Sequence, residues 1–314
     1  MPTTNAPKGP SPTVLRDSRW PMDLYQSITD KIIRQLEDPH KLGQWSCPWY
    51  RAQMAEMPRS ADGRPYRGIN VLTLWAAATD RNYLSPVWAT YKQWAKHGCQ
   101  VRRGEKSELV VFYKKLLSFN LDTQSEEERL MARAFFVFNS AQVDNYVPPK
   151  QPPELSVDER VQDADQYFHN IEAEVRIGGD RAFYSPTSDF IGMPPFSHFK
   201  SGYEFYSTVG HEHIHWTGHK SRLDRELNTN RFGSEAYAFE ELIAELGAAF
   251  LCCHLGIDNE PRADHAKYLS HWLKVLKSDK KAIFTASSKA QKAVDYLNAF
   301  QPSGSSDLDE HDPE

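Results

Sequence analysis

His211-Glu212-His213-Ile214-His215 and Glu240-Glu241-Leu242-Ile243-Ala244-Glu245 are the two stretches on which the reading of this chain turns. Residues four apart on a helix lie one turn apart on the same face, so His211 and His215 project together. At that spacing two imidazoles grip one divalent cation, and Glu212 lies beside them, free to hold a water. A third ligand must come from elsewhere. The carboxylates of the second stretch are the obvious donors.

Both stretches carry a helical pattern. Phe205, Val209 and Trp216 make an apolar stripe on the side away from His211 and His215, and Trp216-Thr217-Gly218 supplies a stop. At about 100° per residue, Phe239, Leu242, Ile243, Leu246 and Phe250 form the core stripe of the second helix. Glu241 and Glu245 share another stripe with Ala248, Ala249 and Cys252, all small enough to admit a neighbouring helix. Glu241 is therefore the first choice for the third ligand. Glu245 comes next, with orientation of a histidine as its expected role. Glu240 points nearly opposite and ranks last.

Two His and one Glu leave a fourth position open for water. A metal there lowers the pKa of the water, and Glu212 is the catalytic group that takes its proton and passes it to a leaving amine. That is the chemistry of peptide-bond hydrolysis. Zinc (Zn2+) suits this donor set, with manganese (Mn2+) as the alternative. His213 is expected on a polar surface, His219 in the loop after the helix stop, and Tyr237 is a candidate oxyanion donor one turn before Glu241.

Working outward, 314 residues suggest about two domains, and 40% hydrophobic with 12% aromatic residues supply real cores. No apolar run reaches the ~18 residues of a membrane span. The first residues are rich in Pro, Thr and Ser without an apolar segment, which argues against secretion. The four cysteines, Cys47, Cys99, Cys252 and Cys253, form no C-x-x-C pair. A bridge between the adjacent two would be strained, so buried thiols in a reducing cytoplasmic setting are expected. The net charge of -5 is unevenly spread, at +4 over residues 20–150 and -6 over residues 151–300. The two halves should therefore have different partners.

The pattern divides the chain into a disordered leader (1–19), a first domain (20–147), a Pro-rich linker (148–155), a second domain (156–300) and a disordered acidic tail (301–314). The fold class is α+β. Asp23 caps a helix over 24–36, a loop holds Trp45 to Trp49, and a second helix runs from Ile69 to Ala78. Pro86 introduces a third over Val87 to Lys96. Leu109–Lys115 and Arg133–Asn139 read as strands joined by a charged connector, Asp122 to Glu128. After a helix over Val157 to Ile171, Glu174–Ile177 and Arg181–Tyr184 flank a Gly-Gly turn and read as a hairpin, with Phe190–Met193 as a further strand. Beyond residue 196 the pattern is helical. The second domain is thus mainly helical with a small antiparallel sheet.

Aromatic and basic residues interleave in the first half at Trp45, Trp49, Tyr66-Arg67, Trp88, Tyr91-Lys92, Trp94, Arg102-Arg103, Lys106 and Phe112-Tyr113-Lys114-Lys115. Single-stranded nucleic acid is held by aromatic platforms that stack on bases and cations that track phosphates. Arg67, Tyr91, Lys92, Arg102, Arg103, Lys106, Tyr113 and Lys114 are the candidate DNA contacts, whereas Trp75 and Trp88 are expected in the core.

Tyr66-Arg67-Gly68-Ile69-Asn70, Trp88 to Gln93, Gly98 to Lys106 and Val137 to Gln142 resemble the N-terminal domain of ArdC-type antirestriction proteins. The similarity continues through Ala182 to Pro186, Met193-Pro194-Pro195, His211 to Arg225, Tyr237 to Phe250 and Asp264 to Tyr268. It covers about residues 20 to 300, and its first part also resembles TraC-type plasmid primases. The resemblance implies a single-stranded-DNA-binding module joined to a zincin-like metallopeptidase domain. It further implies carriage by conjugative plasmids, protection of incoming DNA from host restriction, and a protein substrate still to be identified. The family's metal motif falls on His211, Glu212 and His215.

Overall fold

The computed structural model describes residues 23–37, 56–120, 125–149, 155–225, 227, 235–257 and 265–302, without the side chains of 114–120, 125–131 and 265–267. The leader, the Trp45–Trp49 loop, Cys47, most of the Pro-rich linker and the tail beyond Pro302 lie outside the described residues. The first half runs α1 (Leu24–Leu36), β1 (Arg59–Ser60), α2 (Ile69–Arg81), β2 (Val87–Thr90), α3 (Tyr91–Lys96), β3 (Gln100–Val101), β4 (Glu108–Asn120), β5 (Ser125–Asn139) and β6 (Val143–Asp144). The second runs α4 (Val157–His169), β7 (Glu174–Ile177), β8 (Phe183–Ser185), β9 (Phe190–Met193), α5 (Gly202–Thr217), α6 (Glu235–Leu255), α7 (His265–Ser278) and α8 (Ala282–Asn298). The molecule is α+β in two domains, as the pattern predicts.

Asp23 caps α1 by accepting from the Gln26 amide, and Ile28, Ile32, Ile33 and Leu36 face the core. The sheet of the first half has the order β1-β2-β5-β4. Residues 87–90, expected to begin a helix, are instead its second strand, with Val87, Trp88 and Ala89 buried between β1 and β5. Branched and aromatic side chains suit that flanked position. The helix starts only at Thr90, whose hydroxyl and Gln93 side chain form a capping box. β4 and β5 are also longer than expected, pairing from Glu108↔Val137 out to Asn120↔Ser125. The ladder is made by backbone groups, so it continues through the charged residues 125–128. A buried Asn70 stitches α2 to this hairpin, donating to the Val111 carbonyl and accepting from the Val111 amide at 2.7 Å each.

In the second half the expected hairpin does not form. β9 lies between its neighbours, parallel to β7 and antiparallel to β8. Ile191 and Met193 are fully buried while all four residues of β7 are exposed, so the most apolar strand takes the middle. Gly192 leaves room for the Phe183 ring, which a Cβ there would meet at 2.6 Å. The sheet is mixed rather than purely antiparallel.

The two halves share one continuous apolar core. Trp75 of α2 meets Phe250 of α6 with ring centroids 5.9 Å apart. The Thr29 hydroxyl donates to the Lys280 carbonyl at 2.8 Å, and Arg67 pairs with Asp295 of α8. A smaller core of Val87, Ala89, Trp94, Cys99, Val101 and Val143 sits under α3 and the β3–β6 pair.

Helices α5 and α6 touch at glycine. A Cβ on Gly247 would lie 2.8 Å from the Ile214 side chain, and one on Gly210 would lie 3.4 Å from Leu251. Gly247→Val should therefore lower the free energy of unfolding by about 2 kcal/mol, overpacking outweighing the gain in helix propensity. Adding Ile214→Ala should recover part of that loss. Denaturant titration of both variants checks this.

Candidate metal centre

α5 begins at Ser201, whose hydroxyl accepts from the Glu204 amide, and ends at Gly218. His211 is 2% exposed, Glu212 3% and His213 1%, so the motif lies inside the protein. α6 is buried almost continuously from Ala238 to Cys252, which explains its apolar character all round. Four of its neighbours, α4, α5, α7 and α8, enclose it.

The two helices bring three ligand atoms together. His211 Nε2 and His215 Nε2 are 3.1 Å apart. Glu241 completes the group, turning one oxygen to each ring: Oε2 lies 3.6 Å from His211 Nε2 and Oε1 lies 3.5 Å from His215 Nε2. Bonds of about 2.05 Å at tetrahedral angles would separate ligand atoms by roughly 3.3 Å, so each of these spacings is close to what a tetrahedral site needs. Among the described residues this is the group of His, Cys, Asp and Glu side chains that could hold an ion.

Each imidazole also meets a carboxylate on its other nitrogen. His211 Nδ1 lies 3.3 Å from Glu245 Oε1, and His215 Nδ1 lies 3.3 Å from Glu240 Oε1. Such outer contacts fix ring orientation. Burial alone would raise the Glu241 carboxyl, but His215, His211 and the Tyr237 hydroxyl outweigh it and hold it at about 2. Burial likewise opposes ionisation of Glu240, and the hydrogen bonds from His215 and Arg225 overcome it. Tyr237 hydrogen-bonds Glu241, and burial together with that carboxylate raises its hydroxyl.

Arg225 is the residue that sequence reasoning missed. Its guanidinium donates to both oxygens of Glu240 (Nε–Oε2 3.0 Å, Nη2–Oε1 2.8 Å), to the Ile214 carbonyl at 2.6 Å and to Thr217 Oγ1 at 2.8 Å. It follows the helix stop, where no periodicity points to it. Gly210 and Gly247 did carry a signal, since a glycine inside a helical pattern often marks a close approach.

One expectation changes. His213 is not on a polar surface: Nδ1 donates to the Val209 carbonyl at 2.8 Å and the ring packs 4.8 Å from Phe168. α4 covers the face that the pattern left to solvent. Glu240, ranked last for ligation, lies outside the candidate ligand group and meets His215 on Nδ1. His219 stays in its loop, 2.7 Å from Ser221 Oγ. Arg222 clamps the sheet to the end of α5, stacking 3.9 Å over Trp216 while binding Asp189 and the Tyr184 hydroxyl.

The candidate DNA contacts divide. Arg67 is tied to Asp295, and Arg102 donates to the Val143 and Ala141 carbonyls and to Glu105, holding the β3–β6 corner together. The Tyr113 hydroxyl lies 3.4 Å from that of Tyr25, and the Lys114 side chain is outside the described set. Tyr91 is 52% exposed at the start of α3, and Lys92, Arg103 and Lys106 also face solvent. Trp75, Trp88 and Trp94 are core residues.

The fold and this donor set define a zincin-like protein. Residues 162–289 match the zincin-like metallopeptidase family model, and residues 22–143 match that of the N-terminal domain of anti-restriction factor ArdC. Protein y4eC of Sinorhizobium fredii is 40% identical over 298 residues, 92% of this chain and 96% of the relative. DNA primase TraC of Escherichia coli is 36% identical over 301 residues, 88% of this chain but 27% of the primase. The metal-free crystal structure of antirestriction protein ArdC from plasmid R388 superposes with a TM-score of 0.73 at 37% identity, covering 89% of this chain and 98% of that one. Its Mn(II)-bound form gives a TM-score of 0.71 at 38% identity with the same coverage. The chain belongs to the ArdC family of antirestriction proteins.

Burial holds the His213 imidazole down at about 4, below its ordinary 6.5. Between these values the unfolded chain binds the proton and the folded one does not, so stability falls as pH drops from about 6.5 to about 4. The loss should approach ~3 kcal/mol in the metal-free protein. His213→Leu should remove that slope in urea unfolding measured across the same pH range.

Proposed function

We propose that this protein protects incoming DNA of a mobile element from host restriction, binding single-stranded DNA and acting on a protein target through a metallopeptidase site. The observation that carries the reading is the ligand triangle of His211, His215 and Glu241 with Glu212 between the two histidines on the same helix. Zinc is the metal this donor set favours, and manganese is supported by its presence in the R388 protein. The bound metal would supply Lewis acidity toward a water and a peptide carbonyl. Glu212 accepts the proton of the attacking water and returns it to the leaving amine. Glu245 and Glu240 hold the two imidazoles, and Tyr237 steadies Glu241.

Single-stranded DNA as partner is supported by the family and by the similarity to a DNA primase. The solvent-facing Tyr91, Lys92, Arg103 and Lys106 are the contacts proposed here, one aromatic platform among three cations. Arg67 and Arg102 shape the surface rather than lead the binding. No helix among the described residues is long and apolar enough to cross a membrane. Cys99, Cys252 and Cys253 are thiols rather than halves of a disulfide, which suits a cytoplasmic setting.

His215→Ala should cost one metal equivalent per chain by elemental analysis. Glu212→Gln should keep the metal and lose protection of transferred DNA in a restricting recipient. Protection left intact by Glu212→Gln would favour the other reading, a DNA-covering protein with a structural metal. Separately, Lys92→Ala with Arg103→Ala in the full chain should weaken single-stranded DNA binding by about tenfold or more and flatten its dependence on salt. Affinity and salt slope both unchanged would remove this surface from the proposal.

A further inference from the structure

β7 forms one edge of the β7-β9-β8 sheet, and no strand among the described residues lies on its outer side. The Gly178 amide donates to the Met193 carbonyl of β9, next to the Ile177↔Met193 pair. In a parallel ladder that bond fixes the parity: Glu174, Arg176 and Gly178 turn their backbone groups to β9, and Ala173, Val175 and Ile177 turn theirs away. The side chains sort the same way. Ala173, Val175 and Ile177 share the face on which Ile191 and Met193 meet the core, yet Val175 is 40% and Ile177 60% exposed. Glu174 and Arg176 lie on the other face, bonded to each other at 2.7 Å, with the guanidinium 3.8 Å over the Phe190 ring.

Open edges of this kind are commonly blunted by lysine, proline, a bulge or a covering segment. Residues 173–177, Ala-Glu-Val-Arg-Ile, contain neither lysine nor proline, and β7 pairs with β9 without a bulge. The stretch is instead complementary to itself. A second copy turned antiparallel about Val175 sets Val175 against Val175, Ala173 against Ile177 and Glu174 against Arg176, and the outward backbone groups meet in register. One face of the junction is then apolar and the other carries two pairs of opposite charge. The neighbouring registers of the same parity would set Arg176 against Arg176 or Glu174 against Glu174, so charge selects this one. β8, the other edge, has no such pattern: Phe183-Tyr184-Ser185 carries no charge, and its Tyr184 hydroxyl is engaged by Asp189 and Arg222.

We propose that β7 is the surface through which two copies of this chain pair, edge to edge about a two-fold axis at Val175, joining two three-stranded sheets into one of six strands. The pairing involves no residue of the metal centre and goes beyond the function proposed above. So short a strand pair buries less than the ~1,200 Å² of a stable complex, so the dimer is weak and concentration-dependent. Sedimentation velocity of the full chain, from low to several hundred micromolar, should show the 36.0 kDa species giving way to one of twice that mass. A monomer throughout overturns the proposal, including the case in which β7 accepts a strand of a different protein.

Charge reversal tests the register itself. Glu174→Arg and Arg176→Glu, each alone, set like charges against each other across the axis and should weaken the dimer about tenfold or more. Mixed in equal amounts, the two variants become complementary and should form a heterodimer near parental strength. The double variant Glu174→Arg with Arg176→Glu should recover the homodimer. Val175→Lys, which brings two ammonium groups together on the axis, should leave a monomer. Thermal unfolding first establishes that each variant is folded. An unchanged dimer in Val175→Lys, or a mixture no stronger than its components, rules out this interface.

Discussion

Four glutamates, two histidines and one arginine are crowded into the contact between α5 and α6, and that concentration of charge is what the surrounding protein must sustain. Glu212, Glu240, Glu241 and Glu245 are all less than a tenth exposed. Buried carboxylates are tolerated only when cations and donors meet them. Arg225 supplies one cation, and the two imidazoles meet Glu240, Glu241 and Glu245. A divalent ion between His211, His215 and Glu241 would supply the rest of the compensation. The helices can come close enough for this because Gly247 yields to Ile214.

Much of this arrangement is written in local pattern. The helical spacing of His211 and His215 and the shared stripe of Glu241 and Glu245 depend only on the pitch of one helix. What could not be read was whatever depended on a second element. His213 points away from the ligand face, and only the position of α4 shows that this side is dry. Glu240 points away from Glu241, yet Arg225 and His215 wait on that side. A helical wheel records direction but not what stands there.

The same distinction runs through the fold. α1 with its Asp23 cap is a local structure and is legible. Residues 87–90 become a strand because β1 and β5 flank them, which no short window shows. The β7-β9-β8 order depends on a comparison among three strands, of which β9 is the most apolar. In the putting together of the two halves, local signals fall silent altogether: the contact of Trp75 with Phe250 joins two helices separated by most of the molecule.

That shared core bears on how the protein is made. The Thr29 hydroxyl binds a carbonyl 251 residues further along the chain, and α1 packs on α7 while α2 packs on α8. A ribosome delivers α7 and α8 after all the other helices and strands described here. Until then α1 and α2 cover each other and α2 rests on β4, but the faces they turn to α7 and α8 stay open, and neither β7 nor β8 has its sheet neighbour before β9 emerges. Contacts so distant in sequence are slow to form, and chains awaiting them are exposed to aggregation. A chain stopped before α8 would leave open the parts of α2 and α6 that this helix covers, so incomplete copies lack one wall of the helix that carries Glu241.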